Sequence, residues 1–246
     1  MNNNFRILEP NWNVSNVKAF TILAVDKNDN PVNFSIKTDM GKEYRKKLED
    51  LINPSSPIKW IKLVHGNNVI ELPTKEKETI EADGSFTNQK GVVCEVITAD
   101  CLPITFTNKT GSVVGIAHAG RQGLLNNIIS ELLNKLNDKR EDILVWIGPG
   151  ISQKNYQISK DIRDEFVESC SLYNSAFQHD VDDKYLMDIY KIAKIQLFCN
   201  GILEENVYGA EWDTYADKLF HSARRDSINS GRMVTVIYIE EKSINE

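Results

Sequence analysis

The sequence predicts an α+β fold: a layered α/β/α-type single domain, residues 1–246, built around a mixed β-sheet. Three observations lead there. Hairpin-like strand pairs dominate both ends of the chain, strands and amphipathic helices alternate in the middle, and no repeat, low-complexity tract or Pro/Gly/Ser linker marks a boundary.

Val17 to Val25 and Pro31 to Lys37 are β-rich runs on either side of Asp26-Lys27-Asn28-Asp29-Asn30, which predicts a hairpin. Lys42 to Ile52 carries Tyr44, Leu48, Leu51 and Ile52 at helical spacing, and Pro54 and Pro57 end that helix. Ile58 to Val64 and Val69 to Leu72 read as short strands about the turn His65-Gly66-Asn67-Asn68. The apolar centre supplies three more strands: Gly91 to Thr98, then Leu102 to Thr107 and Ser112 to Ala117 joined by Asn108-Lys109-Thr110-Gly111. Leucine and isoleucine recur at helical spacing from Leu124 to Leu136, predicting one amphipathic helix over Gly123 to Asn137. Ile143 to Ile147 is a strand ending at Gly148-Pro149-Gly150. A helix from Lys160 to about Ser169 follows a cap at Ser159, another covers Tyr185 to Cys199 with Gly201 as its stop, and a strand from Arg232 to Glu240 closes the chain.

Lys+Arg total 29 against 35 Asp+Glu, a net charge of −6, which argues against salt-driven binding to nucleic acid or an anionic membrane and leaves room for a local basic pocket. No apolar run approaches the ~18 residues that span a bilayer, and Met1 to Arg6 has no apolar signal core, so a cytoplasmic protein is expected. Four cysteines without a Cys-x-x-Cys pair predict reduced thiols rather than a disulfide framework.

His65, Cys101 and His118 each follow a predicted strand and adjoin Gly, Pro or Asp, so folding can bring them to one rim of a sheet. Two imidazoles and a thiolate are a three-ligand zinc set with a fourth position left open. The same residues also read as a Cys101 nucleophile activated by His65 or His118, or as a buried thiol and two structural imidazoles. Arg224-Arg225-Asp226 and Gly231-Arg232 place three guanidinium groups near a turn, able to fork onto phosphate or to sit solvated. Tyr156, Phe86 and Trp212 are aromatics that can stack on a base or simply pack.

The ordered series His65-Gly66, Ala82-Asp83-Gly84, Thr98-Ala99-Asp100-Cys101-Leu102-Pro103, Ala117-His118-Ala119-Gly120, Ile147-Gly148-Pro149, Met187-Asp188-Ile189-Tyr190, Ser222-Ala223-Arg224-Arg225-Asp226 and Gly231-Arg232-Met233 resembles the YfiH-like laccase-domain family. That family is labelled multicopper polyphenol oxidase and is associated with purine nucleoside phosphorylase and adenosine deaminase activity. The resemblance implies a metal, zinc with copper as the other possibility, on His65, Cys101 and His118. It also implies purine nucleosides and phosphate as the small-molecule partners: adenosine, inosine, guanosine and 5′-methylthioadenosine. On that footing Cys101, His118 and Asp100 are the expected catalytic residues, Asp100 orienting a ligand or moving a proton, and Arg224, Arg225, Arg232 and Arg121 the expected substrate or phosphate ligands. Against the family's usual His-Ala-Gly-Trp-Arg-Gly this chain has His118-Ala119-Gly120-Arg121-Gln122-Gly123, and Ser152-Gln153-Lys154-Asn155-Tyr156-Gln157 lacks the usual paired cysteines. Other functions compatible with these residues are a metal-binding protein without turnover, a Cys–His hydrolase editing peptidoglycan precursors, and a copper polyphenol oxidase. The last needs many imidazoles, and the chain has four histidines.

Overall fold

The strand-rich centre of the chain folds into two stacked sheets. The computed structural model describes residues 4–76 and 79–241. In order these form β1 (Phe5–Leu8), β2 (Val17–Asp26), α1 (Asp39–Ile52), β3 (Val69–Glu71), β4 (Gly84–Thr87), β5 (Val93–Thr98), β6 (Leu102–Asn108), β7 (Val114–Ala119), α2 (Arg121–Leu125), α3 (Ile128–Leu136), β8 (Ile143–Ile147), β9 (Gln157–Ser159), α4 (Lys160–Ser169), β10 (Phe177–His179), β11 (Lys184–Met187), α5 (Ile189–Cys199), β12 (Val207–Gly209), α6 (Ala223–Asp226) and β13 (Met233–Ile239). One sheet is antiparallel, in the order β1-β2-β13-β5. The other, β12-β8-β6-β7-β4-β3, is mixed, parallel only at its two edges. A small sheet, β10-β11-β9, lies apart from both.

Alternation along each strand decides what faces what. On β5, Cys94 and Val96 join Ala19, Ile237, Val114 and Ile116 in the layer between the sheets, while Val93 packs with Leu48 of α1 on the opposite face. Strand β6 is buried along its whole length, which is why it reads as an unbroken apolar run. Helices α3 and α5 cover the outer face of the mixed sheet through Leu132, Leu133, Ile192 and Leu197. The expected helix–sheet–helix layering is therefore present, with the sheet layer doubled.

Several elements differ from their sequence reading for identifiable reasons. Pro31 to Lys37 makes one bridge, Val25 to Pro31, instead of a hairpin strand, because β1 pairs with β2 along that edge. The segment turns toward β13, where Phe34 N–H donates to the Arg232 carbonyl (2.9 Å). Ile58 to Val64 bridges only at Lys62, to Glu81, and β3 pairs in parallel with β4 instead. The helix expected over Gly123 to Asn137 is split at Asn126-Asn127, where Asn127 is left-handed (φ 58°). Tyr185 to Met187 are strand, and α5 starts only where the Asp188 side chain accepts Lys191 N–H. The first helix begins earlier than expected because the Thr38 hydroxyl accepts Gly41 N–H. No helix among the described residues is long and apolar enough to cross a membrane.

Candidate metal centre and its cleft

Two chain turns and one strand deliver the donor set. His65 is left-handed (φ 61°) in the turn before β3, Asp100 is left-handed (φ 87°) and swings the chain from β5 to β6 so that Cys101 faces the same rim, and His118 is the penultimate residue of β7. Their ligand atoms all lie within 4.8 Å of one another. Gly120 makes this approach possible: a Cβ there would sit 2.8 Å from the Cys101 Sγ and 3.4 Å from the His65 ring.

Asp83, fully buried just before β4, holds the His118 imidazole and the backbone turn of His65. Its Oδ1 faces His118 Nδ1 at 2.9 Å and accepts His65 N–H at 2.9 Å. Its Oδ2 accepts the N–H groups of Gly66 (2.6 Å) and Val64 (3.3 Å). With Nδ1 committed to the carboxylate, Nε2 of His118 is the nitrogen left for a ligand, the carboxylate–histidine arrangement usual around protein-bound metals. Asp83 entered the sequence reading only as part of Ala82-Asp83-Gly84. Burial pushes its carboxyl up, and the hydrogen bonds from His118 and the Gly66 and His65 amides more than offset this, leaving it below the usual carboxylate range.

Cys101 and His118 form a coupled pair. Burial pushes the Cys101 thiol up, but the charge of His118 and hydrogen bonds from both imidazoles bring it down to about 6. Burial pushes the His118 imidazolium down, and Cys101 and Asp83 raise it to about 9. Between those values the metal-free pair is thiolate and imidazolium, so a cation taking both donors displaces one proton, that of His118; below about 6 it displaces the thiol's as well. Affinity for a divalent ion is therefore expected to rise about tenfold per pH unit between roughly pH 6.5 and 8.5. Chelator-competition titrations with Zn²⁺ as the probe check this, and a flat profile contradicts it.

The cluster floors an open cleft of about 590 Å³. Arg121, Arg224, Arg232, Asp100 and Tyr156 line it. Arg121 reaches the cleft although it stands one position before the family's usual arginine. Arg224 lies over the Tyr156 ring (5.0 Å) and donates to the Gln157 carbonyl. Of the two roles expected of Asp100, orienting a ligand or moving a proton, its contacts bear on the first: its two oxygens accept the Thr214 hydroxyl (2.6 Å) and Arg224 N–H (2.7 Å), so it positions Arg224.

Arg225 does not belong to the site. Its guanidinium donates to the carbonyls of Thr214, Tyr215 and Phe220 and grips Asp226 through Nε and Nη2, which leaves it a clamp on the preceding loop. Arg225→Gln is expected to cost about 2–3 kcal/mol of stability, measured by urea unfolding; an unchanged midpoint contradicts the clamp. Phe86 packs against the main core and Trp212 sits edge-on to Trp146, so Tyr156 alone of the three aromatics faces the cleft.

The donor set fits one metal ion. A soft thiolate with two imidazoles suits zinc or copper, and among the described residues it is the one cluster of three or more candidate ligands. The other two imidazoles are spoken for: His179 Nε2 bonds the Asp182 carbonyl and His221 Nε2 the Val32 carbonyl. Residues 36–240 match the family model described as multi-copper polyphenol oxidoreductase laccase. The chain belongs to that family. Within it, "Purine nucleoside phosphorylase YfiH" of Escherichia coli is 38% identical over 204 residues, 82% of each chain. "Purine nucleoside phosphorylase" of Haemophilus influenzae is 35% identical over 246 residues, 95% of this chain and 99% of its own. The crystal structure of Neisseria meningitidis protein NMB0706 superposes with a TM-score of 0.88 at 25% identity, covering 97% of this chain and all of that one. The family's multi-copper description asks for more metal ligands than the described residues cluster.

Proposed function

We propose that this protein is a zinc-dependent purine nucleoside phosphorylase that cleaves the N-glycosidic bond of adenosine, inosine, guanosine and 5′-methylthioadenosine with phosphate, and that it also deaminates adenosine. The observation that carries the reading is the His65–Cys101–His118 cluster flooring a cleft walled by Arg121, Arg224 and Arg232 in a chain of net charge −6. The names of the relatives add the substrate class.

His65, Cys101 and His118 would hold the ion, with Asp83 fixing the tautomer of His118 and the turn of His65. When bound, zinc supplies Lewis-acid polarisation of an oxygen at the open fourth position. Arg121 and Arg224 hold phosphate, Arg232 adds positive charge to the same cleft, Asp100 sets the Arg224 backbone, and Tyr156 stacks against the purine. The test is chromatography of products from adenosine and inosine, with and without phosphate, on protein of known metal content. Phosphate-dependent release of free base supports the reading; no conversion by zinc-filled protein overturns it in favour of a binding protein.

One observation favours a second reading. Asp83, His118 and Cys101 are also ordered as acid, base and nucleophile, with the thiol held near the thiolate form. Hydrolysis of a peptide-like substrate by metal-free protein, abolished by iodoacetamide, would favour that Cys–His hydrolase.

A further inference from the structure

The cleft carries more positive charge than one phosphate answers. Arg121, Arg224, Arg232 and Lys37 all line it, and none has a carboxylate within 4.0 Å among the described residues. A fifth cation, Lys62, is paired with Glu81. The one carboxylate of the lining, Asp100, is taken up by Thr214 and the Arg224 amide. Like charges that border one cleft without carboxylate partners are costly unless a ligand neutralises them, and a phosphate dianion answers two of the four.

The four cations stand on two supports. Arg224 lies across the Tyr156 ring (5.0 Å), and Arg121 lines the same cleft from the start of α2. Arg232 instead belongs to the 33–37 segment: its N–H donates to the Asn33 side chain (3.0 Å), its carbonyl accepts Phe34 N–H (2.9 Å), and Lys37 follows on the same segment. Its Nη1 is used on the carbonyls of Ser230 and Gly231, which steadies the group without neutralising it. Around this second pair the wall is exposed, Ile36 being 42% accessible.

We propose that Arg232 and Lys37 form a second anion subsite that takes the 5′-phosphate of a nucleoside monophosphate, while Arg121 and Arg224 hold the attacking phosphate. The inference rests on the nucleoside reading of the cleft. On a nucleoside, the 5′-oxygen lies across the ribose from C1′, so an added phosphate there is carried away from the reacting bond. The reaction is unchanged: an oxygen of HPO₄²⁻ bonds to C1′, the C1′–N bond breaks with its electron pair going to the purine nitrogen, and the phosphate's proton ends on that nitrogen. The products are the free base and ribose 1,5-bisphosphate.

Calorimetric titration of the zinc-loaded protein with 9-deazainosine and with its 5′-monophosphate tests this without turnover, because the carbon–carbon glycosidic bond is not cleaved. The monophosphate is expected to bind at least about tenfold more tightly. That advantage should persist in saturating inorganic phosphate, vanish in Arg232→Gln and shrink severalfold in Lys37→Gln. Lys37 is exposed and has no carboxylate partner among the described residues, so the second variant keeps the test readable if the first fails to fold. Equal affinities overturn the subsite, as does an advantage that inorganic phosphate removes or that both variants retain. Nucleoside bound without that advantage overturns this inference alone. Binding of neither ligand overturns it together with the phosphorylase reading.

Discussion

Asp83→Ala is expected to destabilise the protein by about 3–5 kcal/mol and to weaken metal binding at least about 10–100-fold. The carboxylate is fully buried and is the partner of three backbone amides and the His118 ring. Its removal leaves those donors without their acceptor and frees both the His65 turn and the His118 ring. Asp83→Asn separates the two effects. An amide keeps the shape but puts an N–H₂ against either the Gly66 and Val64 amides or the His65 amide and His118, so one of the two sides is lost. Stability should fall by about 1–3 kcal/mol, with metal affinity still down. Urea unfolding with and without Zn²⁺, beside chelator competition, reads both quantities. Wild-type metal affinity in Asp83→Asn would show that the carboxylate does not orient the ligands.

If His118 holds the metal as proposed, His118→Ala should abolish turnover, because it would remove one of the three donors. Losing several kcal/mol of polarisation at the open position corresponds to a fall of at least about a thousandfold in rate, with metal content dropping in parallel. His179→Ala is the matched control, since His179 is exposed and its ring nitrogen is bonded to the Asp182 carbonyl. It should retain full activity. Equal loss in both variants, or full activity of His118→Ala, would remove the cluster from the chemistry.

The donor set was legible because each member follows a predicted strand beside Gly, Pro or Asp, and because the motifs around it resemble one family. His65 precedes a glycine, Cys101 follows Asp100, and His118 follows Gly115-Ile116-Ala117. Asp83 appears in the sequence only within the motif Ala82-Asp83-Gly84, with nothing to mark it as a partner of His118. Its role exists only because β4 pairs with β7 at Gly84 and Ala117, which lays the carboxylate against His118. The adjacent pair Arg224 and Arg225 looks equivalent as sequence, yet successive residues of a helical turn point apart, and one lines the cleft while the other clamps its own loop. The partner of Thr214 was likewise not legible, because Asp100 is remote in sequence. At the level of fold, apolar runs identified the central strands without saying which sheet each joins. Both sheets bury two faces, and hydrophobicity alone does not distinguish them.

The most direct test of the account is a titration of metal-free protein with zinc while phosphate-dependent release of hypoxanthine from inosine is followed. One His–Cys–His cluster predicts that activity rises linearly and saturates at one zinc per chain, with no base released when phosphate is omitted. Saturation only at several equivalents, activity restored by copper and not zinc, or full activity before any metal is added would contradict it.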